Sequence, residues 1–273
     1  MRSVILCEGS DDLWFIAYFL NKTSGWTIAK QKEWSPYYGL LPSKAVNGCY
    51  NRQEVQYMLS ADKKNTLAIF STGGQDRIKS TFLKVIQLNA NYPQPGKTID
   101  SIVIFRDCDD HSPDSLAESM KSWFDSVDSW KTASFSLKNQ TPILLENCIE
   151  ECLIRTIILP VIIPFDEEGA IETLLLKAIG DSGDEGHFVA ESAKKYISDV
   201  KSEACVTTYL SHQRLVTKAK YSAAIAITNP DHSTKLFQQL MESTPWEQSA
   251  AIKTHMEKVV QLITGQLDLT HTR

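Results

Sequence analysis

The stretch that decides the fold is Val4-Ile5-Leu6-Cys7-Glu8-Gly9-Ser10-Asp11-Asp12-Leu13-Trp14-Phe15-Ile16-Ala17-Tyr18-Phe19-Leu20. Val4 to Cys7 is a short apolar run that breaks at Glu8-Gly9. From Asp12 onward apolar residues recur at helical spacing, and Ser10 and Asp11 stand where a helix N-cap belongs. Residues 3 to 22 therefore read as strand, tight turn, helix.

The same pattern recurs downstream. Leu67 to Phe70 reads as a buried strand, Ser71-Thr72-Gly73-Gly74 as a tight turn, and Asp76 to Leu88 as a helix. Ile99 to Phe105 is a third strand, which runs into Arg106-Asp107-Cys108-Asp109-Asp110 before a helix over Ser115 to Phe124. Strands that alternate with helices imply βαβ units, an α/β class and a mostly parallel sheet of about four strands flanked by helices. Between the first two repeats, Trp26 to Trp34 reads as a strand region. Residues 35 to 50, with Pro36, Gly39, Pro42 and Gly48, read as a loop, and Gln53 to Leu59 as a short helix.

The second half differs. Ile157 to Ile163 is one more strand. Asp166 to Ile179, Phe188 to Tyr209, Thr217 to Ile227, His232 to Met241 and Glu247 to Leu267 all have helical periodicity. The expected organisation is an α/β core over 1–125 and a mainly helical extension over 126–273 that contributes a strand and site residues.

Composition sets the class. At 273 residues, 42% hydrophobic and 22% charged, this is ordinary globular composition with room for a large core. The longest apolar run, Ile157 to Ile163, is far short of a membrane span, so no membrane role and a cytoplasmic location are expected. The six cysteines form no CxxC pair and read as free thiols rather than zinc ligands or disulfides. The net charge of −5 argues against a large basic footprint for nucleic acid, although a local basic patch can coexist with it.

Three patterns carry chemistry, and each follows a strand: Glu8-Gly9-Ser10-Asp11-Asp12, Gly73-Gly74, and Asp107-Cys108-Asp109-Asp110. Ligands of open α/β sheets bind beyond the carboxyl ends of the strands. Mg²⁺ takes hard oxygen ligands, usually one or two carboxylates plus substrate phosphate and water. Asp107 and Asp109 could turn their carboxylates to one side, Glu8 could complete the shell, and a glycine turn lets a phosphate backbone approach. Each pattern has a plainer reading: Glu8 as an acid favoured at a helix N-terminus, Asp12 as a cap, the aspartates as turn formers and the glycines as a turn. Trp34, Tyr37 and Tyr38 read as loop anchors rather than base-stacking residues.

Strand-Glu8-Gly9 followed by strand-Asp107-x-Asp109 resembles the Toprim domain over roughly residues 1 to 125. Topoisomerases, primases, RNA-maturing nucleases and the overcoming-lysogenization-defect nucleases share that domain. The spacing Glu8-x-x-x-Asp12 is more similar to the last group. Gly169-Ala170-Ile171-Glu172 resembles a Gly-x-x-Glu helix of stand-alone Toprim-like proteins, and Lys218 of Lys218-Ala219-Lys220 resembles their late lysine.

The resemblance implies a nuclease that cleaves phosphodiester bonds of DNA or RNA with Mg²⁺, or Mn²⁺ in its place. Metal ligands would be Glu8, Asp12, Asp107, Asp109 and Glu172, a second ion being held by Asp12 and Glu172. Lys218 would neutralise charge on the scissile phosphate. The chain lacks the Gly-x-x-x-x-Gly-Lys-Ser/Thr loop of the ATPase that accompanies such domains. The resemblance therefore implies a separate ATPase partner, as for the stand-alone effector of PARIS-type anti-phage systems, and leaves room for a homo-oligomer. The rival reading is a non-catalytic Toprim module that serves assembly or sensing. A primase or topoisomerase is disfavoured, because no zinc motif or strand-breaking tyrosine domain is evident.

Overall fold

The structure is a computed structural model that describes residues 1–29, 54–91, 93, 97–124, 127, 137–149, 151–231 and 235–267. The chain divides into two compact units, neither continuous in sequence. The first comprises Met1–Arg106, Asp114–Ile162 and Lys258–Arg273, and the second Asp107–Pro113 and Ile163–Glu257.

A seven-stranded sheet organises the first unit. Its strands are β1 (Arg2–Cys7), β2 (Thr27–Ile28), β3 (Glu54–Leu59), β4 (Thr66–Ser71), β5 (Ser101–Asp107), β6 (Ile143–Ile149) and β7 (Cys152–Ile163), in the order β2-β3-β4-β1-β5-β7-β6. At the centre β1 is parallel to β4 and to β5, with Leu6 opposite Phe70 on one side and Ile104 on the other. The margins are antiparallel, β2 on β3 on β4 at one end and β6 on β7 at the other. The α/β class is thus present as a mixed sheet with a parallel centre.

The central strands are apolar without alternation, and Val4 to Cys7, Leu67 to Ile69 and Ile102 to Ile104 are fully buried. Such runs fit strands covered on both faces. Each buried aliphatic side chain stabilises the fold by roughly 1.5–3 kcal/mol relative to exposure. The polar exceptions are paired: the Ser101 hydroxyl donates to that of Ser3, its register partner, at 2.8 Å. Helix α1 (Ser10–Ser24) packs on β3 and β4, and α2 (Gln75–Asn91) on β1. Buried Asn89 of α2 donates to the Ile99 carbonyl and the Thr156 hydroxyl and accepts from the Ile99 N–H. It thereby ties the helix to the segments that lead into β5 and lie within β7. Two short helices follow β5, α3 (Pro113–Ser119) and α4 (Lys121–Phe124), and Phe124 packs edge-on against Phe82.

Four expectations are corrected. Residues 54–59 form a strand, not a helix, because each has a partner on β4, from Glu54↔Ser71 to Leu59↔Thr66. The sheet has seven strands rather than four, and two of them, β6 and the longer β7, come from residues 143–163. The N-cap of α1 is Gly9, one residue earlier than read. The helix read from Asp166 begins at Ile171, and Phe165 to Ala170 form a loop. Within the strand region read from Trp26 to Trp34, Thr27–Ile28 form β2. Its remainder from residue 30, the 35–50 loop and its Trp34, Tyr37 and Tyr38 lie outside the described residues.

The second unit is helical after the end of β7. It holds α5 (Ile171–Gly180), α6 (Asp184–Ser202), α7 (Gln213–Thr228) and α8 (Phe237–Ser243), and the part of α9 (Ala250–Ile263) up to Glu257. Helices α5, α6 and α7 pack on one another. No helix among the described residues is long and apolar enough to cross a membrane.

Candidate functional site

In the first unit the turn after β1 is stitched to the turn after β4. The amides of Gly73 and Gly74 both donate to the Glu8 carbonyl at 3.0 Å, and the Thr72 amide and hydroxyl both donate to the Cys7 carbonyl. Gly73 and Gly74 have φ of 79° and 133°, which glycine adopts readily and other residues do not. The glycine amides are therefore engaged inside the protein, rather than left as a cradle for phosphate.

Glu8 Oε1 accepts from the Arg106 guanidinium at 3.2 Å, with side chains only 11% and 8% exposed. Sequence reading missed Arg106, although its place directly before Asp107 was visible. Asp12 is buried and its Oδ2 accepts the Gly9 N–H at 2.9 Å. That is the plainer capping role: an N3 carboxylate that satisfies the N-cap amide and lies at the positive end of the helix.

The second unit gathers Asp107, Asp109, Glu172 and Lys218. Asp107 Oδ1 accepts the N–H of Ile171, the first residue of α5, at 2.9 Å. Glu172 is the next residue on that turn. The amides and carbonyls of Asp109 and Gly169 are exchanged in an isolated antiparallel bridge, at 2.7 and 2.9 Å. Asp109 adopts φ 49°, a left-handed conformation that Asp tolerates better than most residues. Between them, the Cys108 amide donates to the Ile163 carbonyl, and its thiol to the Glu167 and Gly169 carbonyls at 3.3 and 3.4 Å. Burial first, with the neighbouring Asp107 and Asp109 charges adding to it, pushes that thiol up to about 11.

Glu172 is buried, and its Oε1 forms an ion pair with Lys218 Nζ. Lys218, not Lys220, is the lysine that meets the acid. Glu172 Oε2 is buried with no hydrogen-bond partner, an arrangement that costs about 1–3 kcal/mol for a polar group and more for a charged one. The Lys218 side chain is 42% exposed, so its ammonium keeps a route to water.

Among the described residues, no three His, Cys, Asp or Glu side chains stand grouped as a ready-made metal cage. The structure does bring Asp107 and Glu172 to one helical turn, pairs Glu172 with Lys218, and ties Asp109 by its backbone to the loop before that turn. Glu8 and Asp12 belong to the first unit, where Arg106 and Gly9 hold them.

No curated protein matches this chain. Among solved structures it is similar to the crystal structure of a hypothetical protein, PH0156, from Pyrococcus horikoshii OT3. The identity is 14%, the TM-score 0.51, and the match covers 97% of this chain and 95% of that one. At that identity the likeness concerns the fold alone. The model of the family DUF3226, described as a protein of unknown function, matches residues 2–263, so the chain belongs to that family.

Proposed function

We propose that this protein is a Toprim-type nuclease that hydrolyses phosphodiester bonds of DNA or RNA with Mg²⁺ or Mn²⁺. In this reading it serves as an anti-phage effector in the cytoplasm, under the control of a separate ATPase partner. The observation that carries the reading is the orphaned Oε2 of Glu172, next to the turn whose amide holds Asp107. A buried carboxylate oxygen without a donor is a place where a cation restores the missing interaction. The donor set fits: the acids offer only oxygen, as a hard divalent ion prefers.

When bound, such an ion would neutralise phosphate charge and generate hydroxide from water. The chain's own residues do the rest. The Ile171 amide fixes one Asp107 oxygen. The bridge to Gly169 fixes the backbone of Asp109. Lys218 balances Glu172 at rest, and its half-exposed chain can turn to a substrate phosphate. Glu8 enters from the Toprim resemblance and from its place directly after β1. The same resemblance supplies Asp12 as a ligand to a second ion.

The second reading, a non-catalytic module for assembly or sensing, draws on a different observation. Both Glu8 and Glu172 already have an internal cation, Arg106 and Lys218, which balances each acid. Incubation of the pure protein with supercoiled plasmid, single-stranded DNA and RNA in Mg²⁺ or Mn²⁺ separates the readings. The nuclease reading expects cleavage that chelator and Glu172→Gln both abolish. No cleavage of any substrate, alone or with the products of neighbouring genes, supports the non-catalytic module.

A further inference from the structure

We infer that His255 is a positioning residue: it anchors the Phe165–Ala170 loop, and through that loop fixes Asp109 and the start of α5, whose Ile171 amide holds Asp107. All the residues concerned lie in the second unit. His255 Nε2 accepts the Phe165 N–H at 3.1 Å, and its Nδ1 lies 2.7 Å from the Ala251 carbonyl. A carbonyl can only accept, so Nδ1 carries the proton and Nε2 is the bare acceptor. The imidazole stacks on the Phe165 ring, centroids 3.9 Å apart, and is 4% exposed. A buried ring with both nitrogens engaged has one tautomer and one orientation.

The loop that starts at Phe165 has its other fastenings on the acids. The Cys108 thiol donates to the Glu167 and Gly169 carbonyls, Gly169 and Asp109 exchange both backbone bonds, and Ile171 donates to Asp107. These contacts leave the loop little play between α9 and the Asp107–Asp109 segment. Loss of the anchor at one end lets the other end open locally, without unfolding of the helices around it. Protonated Nε2 could no longer accept from Phe165, so low pH should act as a mutation of His255 does. The charged groups facing the ring are Asp166, beside Phe165 on the loop, and Lys177 on α5.

The importance of this anchor for an ion rests on the nuclease reading; its importance for the loop does not. The experiment therefore has two arms, amide exchange and Mn²⁺ binding, on the full chain at pH 7.5. His255→Leu should speed exchange of the Phe165, Gly169, Asp109 and Ile171 amides by about tenfold or more, the scale of one lost hydrogen bond. The β1 and β4 amides should stay unchanged. His255→Gln, whose Oε1 can accept from Phe165, should restore most of the protection. Mn²⁺ affinity should weaken about tenfold in the leucine variant and recover with glutamine. Should His255→Leu fail to fold, His255→Asn, which keeps the Ala251 side and loses Phe165, carries the same expectation. Unchanged exchange at Asp109 and Ile171, or faster exchange with unaltered Mn²⁺ affinity, overturns the inference. A wild-type protein that binds no Mn²⁺ removes the metal reading, and the exchange arm alone then decides whether His255 anchors the loop.

Discussion

Asp107 Oδ1 accepts the backbone N–H of Ile171 at 2.9 Å, and this one bond joins the last residue of a central strand to the first turn of α5. The turn also carries Glu172, whose buried Oε2 has no donor. The acid at the strand end and the acid on the helix are thus placed by the same piece of backbone.

The Glu172–Lys218 pair is asymmetric, and this yields the first prediction. Glu172 is nearly enclosed while Lys218 is partly exposed. Lys218→Met leaves a buried carboxylate without its counter-charge and should cost about 1–3 kcal/mol. Glu172→Gln leaves a lysine that can turn to water and should cost less. Thermal unfolding of both variants measures the order. Millimolar Mg²⁺ should restore stability to Lys218→Met and leave Glu172→Gln unaffected.

In the Glu8–Arg106 pair both partners are nearly enclosed, the cation as well as the acid. Arg106→Met should cost about 3–5 kcal/mol, because it strands a buried carboxylate. The double variant with Glu8→Gln should recover most of that loss, as urea denaturation would show. Equal loss in single and double variants would mean that Arg106 matters only for packing.

Gly169 has φ 148°, and a Cβ there would meet the Thr173 hydroxyl at 2.1 Å. Gly169→Ala should destabilise by about 2–4 kcal/mol, and Thr173→Ala should relieve only part of it, because the backbone strain persists. Gly74→Ala, with φ 133° but open space around it, should lose about 1–3 kcal/mol from backbone strain alone. Circular-dichroism melting curves give the ranking.

The thiols should react unequally. Cys108 is buried and its thiol pushed up to about 11, so at pH 8 only about one molecule in a thousand holds a thiolate there. Cys148 and Cys205 are exposed. Brief treatment with iodoacetamide, read by mass spectrometry, should label those two and spare Cys108 in the native protein.

Stability should fall on the acid side through His255. Burial, the larger influence, holds its folded-state pKa below the ordinary 6.5, so the unfolded chain takes up a proton there first. The stability it protects is complete above about pH 6.5 and declines as the pH drops toward the lower folded value. His255→Gln should flatten that part of the profile in urea titrations at pH 5 to 8. An unchanged slope would remove His255 as its cause.

Much of this was legible in the sequence where local patterns and tertiary environment agree. Val4–Cys7, Leu67–Phe70 and Ile102–Phe105 are apolar throughout because they form the buried centre of the sheet, and their continuous runs announce it. Glu54–Leu59 failed as a helix because its conformation comes from a partner strand near in sequence yet invisible to periodicity. Ile143–Ile149 alternates buried and exposed at its start, but the exposed Leu144 is apolar, so the alternation does not show in the sequence. For the candidate site, residue type and strand-end position picked out Glu8, Asp107 and Asp109, and the resemblance to a Gly-x-x-Glu helix picked out Glu172. Their partners could not be read. Arg106 answers Glu8 across 98 positions and His255 answers Phe165 across 90, and only the folded chain brings such pairs together.

A crystal of this protein soaked in Mn²⁺ and measured for anomalous scattering decides whether Glu172 and Asp107 hold a metal ion. The metal site requires a peak within coordination distance of Glu172 Oε2 and an Asp107 oxygen, with Lys218 drawn away from Glu172, and no such peak in Glu172→Gln. Ordered crystals that show the Glu172–Lys218 pair intact and no peak at saturating Mn²⁺ would contradict it.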